Sequence, residues 1–197
     1  MTSKQSYISE RRSPLALFTV QLCAMSIGLF LVAGPASAID TFLLEGGVSE
    51  SDENAERYGG AVRWDLGMKW MEAGDWHLGS YVELSVTYWD GEAGRTGDDD
   101  LVDFGLTPVL RYQRVADHGI APFAELGLGA HVHTEDGIGN KNFDIPFAFG
   151  SHFGVGARFG AAGKYELIYR FQHLSNAGLG DDNPGINFHA VQFGVHF

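Results

Sequence analysis

From Tyr58 to Trp70 the chain alternates. Tyr58, Gly60, Val62, Trp64, Leu66, Met68 and Trp70 share one parity, and Gly59, Ala61, Arg63, Asp65, Gly67 and Lys69 share the other. Successive side chains of a strand point to opposite faces, so this segment has an apolar, aromatic face and a small or charged one. The same period of two recurs over residues 76–88, 104–112, 124–132, 147–159 and 165–171, each time with charged or small residues (Glu83, Arg111, Glu125, Arg158, Glu166, Arg170) on the second face. With an opening strand near residues 41–48 and a closing one near 187–197, the pattern predicts eight strands.

The connections alternate as well. Short links fall near residues 72–75, 116–119 and 161–163, and long polar links near 49–57, 90–100, 135–144 and 176–185. Short turns at one end and long loops at the other are the habit of bacterial outer-membrane barrels, and a polar second face suits the filled interior of a small barrel. The fold predicted is all-β, an eight-stranded antiparallel transmembrane β-barrel. Trp64, Leu66, Leu84, Leu126 and Phe153 should face lipid, while Arg63, Glu83, Arg111, Glu125, Arg158 and Glu166 should lie inside and pair with one another. Val191, Phe193 and Val195 step by twos to a terminal Phe197, which resembles the aromatic ending that the barrel assembly machinery recognises.

The first 38 residues stand apart. Lys4, Arg11 and Arg12 precede an apolar run over residues 15–32, which ends in Ala36-Ser37-Ala38. That order is a secretory signal with a small-residue cleavage site, so residues 1–38 are expected to be removed and residues 39–197 to form one barrel domain. A retained anchor is the alternative that the length of the run allows. Twin-arginine export would carry folded cargo, and Leu22 before Cys23 is too bulky for a lipoprotein site; general secretion fits best. Cleavage takes away three basic residues, one acidic residue and the only cysteine, moving the formal charge from −12 to −14. So acidic a chain is a poor partner for nucleic acid. Without its cysteine the mature domain has neither disulfide nor thiol chemistry.

Parity also locates candidate chemistry. His173 and Ser175 continue the face set by Tyr165, Leu167, Tyr169 and Phe171, the face assigned to lipid. Unpaired polar groups are costly there. Positions i and i+2 of a strand stand about 7 Å apart on one face. An imidazole can therefore lean toward a serine hydroxyl, which is a weak nucleophile until a base takes its proton. On spacing alone, a histidine and a serine in the polar interfacial belt is the better reading.

The segment Arg170-Phe171-Gln172-His173-Leu174-Ser175-Asn176-Ala177-Gly178-Leu179-Gly180, followed by Asn183-Pro184-Gly185-Ile186-Asn187, resembles the lipid A 3-O-deacylase (PagL) family. The resemblance implies an esterase that removes the ester-linked 3-O acyl chain of lipid A in the outer membrane of a Gram-negative bacterium. Ser175 would then be the nucleophile and His173 the general base, with Asn176 and Asn183 supporting or ordering the oxyanion region. It implies no cofactor, lipopolysaccharide and outer-membrane lipid as partners, and allows a homodimer. One position departs: the better-known members carry a glutamate as third triad member where this chain has Asn187. An amide can orient histidine but supplies no charge to imidazolium. Glu166 has inward parity, Asp181 and Asp182 are loop residues, and His189 shares the outward parity of Asn187.

Other constellations carry less. His131 and His133 fall short of a zinc set, and the acidic stretches 50–56 and 98–100 lack the spacing of a calcium loop and read as solvated loops. No metal site is expected. The rival function is a non-catalytic structural barrel with a decayed site; an acyltransferase has no support from the motif.

Overall fold

The computed structural model describes residues 38–50, 54–92, 94–115 and 119–197; the expected signal segment, residues 1–38, lies outside them except for its last residue. The strands are β1 (Thr41–Ser49), β2 (Glu56–Ala73), β3 (Trp76–Asp90), β4 (Asp100–Arg114), β5 (Ala121–His133), β6 (Gly137–Ile138), β7 (Lys141–Asn142), β8 (Phe147–Phe159), β9 (Tyr165–Ser175) and β10 (Ile186–His196). Eight of them close a barrel in the order β1-β10-β9-β8-β5-β4-β3-β2, every neighbour antiparallel. The remaining pair, β6 and β7, forms a small hairpin inside the loop between β5 and β8. The barrel seam is the β1–β10 pairing, which runs from Thr41↔His196 to Ser49↔Phe188. Closure leaves no sheet edge unpaired, the condition for a strand protein to sit in hydrocarbon.

The two parities separate as the alternation predicts. Leu84, Leu126, Leu128, Phe153, Leu167 and Phe193 are exposed on the outside, forming an apolar belt. Inside, Arg63, Glu83, Arg111, Glu125, Glu166 and Arg170 are all buried. They form a closed, alternating cycle. Arg63 bonds Glu83 (2.7 Å) and Glu166; Glu166 accepts from Arg111 (2.8 Å); Arg111 reaches Glu125 (2.7 Å); Glu125 accepts from Arg170 (2.8 Å); and Arg170 returns to Glu83 (2.7 Å). Each cation meets two anions and each anion two cations, so the cycle is neutral. Tyr81 lies against it, with its hydroxyl donating to Glu125 (2.8 Å) and its ring under the Arg63 and Arg111 guanidinium groups. Arg158 is the exception among the expected interior residues. It is half-buried at the turn end, where its Nε donates to the Gly163 carbonyl (3.1 Å) instead of joining the cycle.

An apolar layer closes the lumen at the long-loop end. Trp89, Leu101, Ala148, Leu174, Ile186 and Phe188 meet Ala55, Ile138 and Phe143 from the loops to seal the long-loop end. A smaller cluster of Leu43, Ala61, Phe123 and Ile168 also lies within the barrel. The lumen is a packed core.

The unbroken alternation read through Trp70 is interrupted in β2. Four residues, from Asp65 to Lys69, span the distance that two cover on β3, and a second shift follows Trp70. Gly67 adopts φ +67° and its N–H donates to Asp65 Oδ1 (2.6 Å), which stabilises the first bulge. Two extra residues preserve parity, so Trp70 still points outward.

The cycle generates a stability prediction. Glu125→Gln leaves Arg111 and Arg170 each short of one anion, and breaking a buried ionic network in this way costs about 3 kcal/mol. Urea unfolding of the protein in lipid vesicles should show that loss; a change below about 1 kcal/mol, typical of solvated pairs, would contradict it.

Candidate active site

The end of β9 and the start of β10 are oriented by what they bury. Leu174 and Ile186 pair across the two strands and both point into the apolar layer at the long-loop end. Their neighbours His173, Ser175 and Asn187 are therefore directed to the outer face. His173 stands directly opposite Asn187, and its Nδ1 lies 2.7 Å from Asn187 Oδ1. An amide oxygen only accepts, so Nδ1 carries the proton and Nε2 keeps its lone pair. The Asn187 Nδ2 in turn donates to Glu50 Oε2 (3.1 Å), and the Glu50 N–H donates to the Asn187 carbonyl (3.0 Å).

Ser175 is the last residue of β9, two positions beyond His173 on the same face and opposite Phe149 of β8. Its hydroxyl carries no hydrogen bond among the described residues. Contacts of this kind commonly tighten only when substrate is bound. Gly185 lies against the imidazole from the other end of the loop. It adopts φ +60°, and a Cβ built there would stand 3.0 Å from His173 Cε1 and 3.6 Å from Nε2. No larger side chain fits without moving the ring.

The loop between them is knotted by its asparagines. Asn176 is buried, and its Nδ2 donates to the carbonyls of Phe143 (2.8 Å) and Asp182 (2.7 Å) while its Oδ1 accepts from the Gly178 N–H (2.8 Å). The Asn176 N–H is given to Asn183 Oδ1 (2.9 Å). Both amides are spent on backbone groups, those of this loop and of the loop before β8. Ala177 (φ +54°) and Gly178 (φ +77°) make the tight left-handed turn that this clasp encloses.

The other residues weighed as partners for His173 lie elsewhere. His189 Nδ1 meets the Tyr169 hydroxyl at 2.6 Å. The Asp181 N–H donates to Asp144, Asp182 Oδ1 accepts from the Asn183 N–H, and Glu166 belongs to the interior cycle. His131 and His133 share Asp103 in the lumen (3.0 and 3.3 Å), and no group of three or more metal-ligating side chains occurs among the described residues. Glu50 was not among the sequence candidates, having been read as part of a solvated acidic stretch. Its parity was the available signal, because it continues the outward set Phe42, Leu44 and Val48 of β1.

The profile of the family described as "Lipid A 3-O-deacylase (PagL)" matches residues 56–196. The chain belongs to the lipid A 3-O-deacylase family. It is similar to the lipid A deacylase PagL of Pseudomonas aeruginosa, 27% identical over 148 residues that make up 75% of this chain and 82% of that protein. The lipid A deacylase PagL of Bordetella bronchiseptica is also 27% identical, over 125 residues covering 63% of this chain and 66% of that one. Among solved structures, the crystal structure of the outer membrane enzyme PagL superimposes with a TM-score of 0.70 over 80% of this chain and 99% of its own, at 23% identity, which shows a shared fold. His173, Ser175 and Asn187 lie inside the stretch matched to the PagL family, and Glu50 lies before it.

Gly185 is the position where this geometry is most easily disturbed. Gly185→Ala should displace the imidazole and lower deacylase turnover by about ten- to a hundredfold, with the barrel still folded by its gel-mobility shift on heating. Unchanged turnover would mean that the ring position does not matter to the reaction.

Proposed function

We propose that this protein is a lipid A 3-O-deacylase of a Gram-negative outer membrane that works by Ser175–His173 nucleophilic catalysis on its lipid-facing surface. The observation that carries the reading is the 2.7 Å contact between His173 Nδ1 and Asn187 Oδ1, which leaves Nε2 as the basic nitrogen on the same strand face as Ser175.

In the proposed reaction, Ser175 Oγ attacks the acyl carbonyl as Nε2 takes its proton. The tetrahedral intermediate collapses by breaking the ester bond, and the imidazolium returns the proton to the departing 3-hydroxyl of lipid A. Water then attacks the acyl-serine, again giving a proton to Nε2, and the free fatty acid leaves as Ser175 is reprotonated. Asn176 and Asn183 are assigned an ordering role, since their amides hold the loop rather than facing the substrate. Of the N–H groups just after Ser175, that of Asn176 goes to Asn183 and that of Gly178 to Asn176. This makes the Ala177 N–H the proposed oxyanion donor.

Location follows the same logic. The long loops mark the outer side of an outer-membrane barrel, and the site sits at that end of the apolar belt. Lipid A would reach it laterally within the leaflet, its chains lying along the surface formed by Phe171, Tyr169, Leu167 and Val191. The terminal Phe197 is exposed and is the proposed recognition signal for the barrel assembly machinery.

Refolded protein incubated with lipid A, followed by mass spectrometry, should release one ester-linked acyl chain. Ser175→Ala and His173→Ala should each lower that release by about 10³-fold or more while keeping a heat-modifiable barrel. Full release by either variant would overturn the assignment.

A further inference from the structure

We infer that Glu50 is a positioning residue of this site: it acts through Asn187 to hold His173 in its productive tautomer, placing just past the end of β1 the carboxylate that Asn187 itself lacks. The inference rests on the Ser175–His173 esterase reading.

His173 of β9, Asn187 of β10 and Glu50, the residue after β1, form a single row. Continuing the β1–β10 register past Ser49↔Phe188 sets Glu50 opposite Asn187, and Asn187 is opposite His173. The row lies on the outer face, because Glu50 has the parity of Phe42, Leu44 and Val48, and Asn187 that of Val191 and Phe193. Two hydrogen bonds lock Glu50 to Asn187: backbone N–H to carbonyl at 3.0 Å, and side-chain amide to carboxylate at 3.1 Å. The backbone bond fixes the Glu50 main chain opposite Asn187, within side-chain reach of its amide.

The chemistry explains why the second bond matters. An asparagine amide is ambivalent and can turn either its oxygen or its NH2 toward His173 Nδ1. With the NH2 turned inward, Nδ1 would have to accept, the proton would sit on Nε2, and the ring could not take the serine proton. A carboxylate only accepts, so Glu50 claims the NH2 and directs the oxygen to the ring. The polarity of the whole row, from carboxylate to amide to imidazole to serine, is set at its far end. Polarisation along such a chain also strengthens the bond to His173 as imidazolium forms. In a serine triad, losing the carboxylate that fixes the tautomer costs about 10⁴ in kcat. Here Asn187 stays in place, so a smaller loss is expected.

The test is a set of Glu50 variants assayed on lipid A in vesicles, with folding followed by heat modifiability. Glu50→Gln keeps an acceptor but no charge and should lower kcat about fivefold; Glu50→Ala should lower it about tenfold. Glu50→Lys offers only donors, turns the Asn187 amide around, and should lower kcat about a hundredfold. KM should change by less than twofold in each, since Glu50 does not touch the acyl chain. Asn187→Glu puts a carboxylate directly on His173 and should restore most of the turnover lost in Glu50→Ala. A residue that merely anchors the loop would predict no such rescue and no special penalty for lysine. Three variants within twofold of the parent kcat, or a Glu50→Ala loss that Asn187→Glu leaves unrepaired, would overturn the inference. If the parent protein shows no Ser175-dependent release at all, the esterase reading fails first and this one with it.

Discussion

The neutral cycle of three arginines and three glutamates is what the rest of the molecule depends on. Burying six charges in a narrow lumen is tolerable only when each is met by opposite charges, and the cycle achieves that without a single unmatched member. It draws together β2, β3, β4, β5 and β9, so it also fixes which residues of those strands face inward. The charges of the cycle are spent on one another, and an apolar layer seals the long-loop end. The site proposed above lies instead on the outer face, where a barrel with an apolar exterior has lipids within its reach.

Much of this could be read from alternation alone. Strand number, loop asymmetry and the inward set of charges follow from parity, because a sheet with one dry and one polar face leaves a period of two that nothing else in the chain imitates. The outward placement of His173, Ser175 and Asn187 was legible for the same reason: the inward alternates, Leu174 and Ile186, are too apolar to be anywhere but inside. The bulges of β2 were not legible, since two inserted residues leave the parity of Trp70 unchanged. Nor was the role of Asn176, whose buried amide donates to a carbonyl of a different loop as well as to one of its own. Glu50 was missed because its partner is 137 residues away, and only closure of the sheet makes them neighbours.

The substitution at the third position looks different in that light. Read along the chain, Asn187 is a loss of charge beside the histidine. Read across the strands, the carboxylate is one position further along the same row, with the amide interposed. Such a displacement keeps the direction of hydrogen bonding while diluting the electrostatic support for imidazolium, because the negative charge is separated from the ring by the length of an amide. In the proposed site the two effects of a triad acid, orientation and charge, would thereby be split between Asn187 of β10 and Glu50 just past β1.

The row crosses the seam where the first strand meets the last. Before that seam forms, His173 and Asn187 can already stand side by side in the β9–β10 hairpin, but Glu50 is still far off on an unpaired strand end. The chain on its way to the membrane therefore carries an incomplete set of groups, and the set is assembled by the same event that closes the cylinder. In the proposed site, the contribution of Glu50 to turnover is therefore a property of the closed barrel alone, absent from any chain whose first and last strands have not paired.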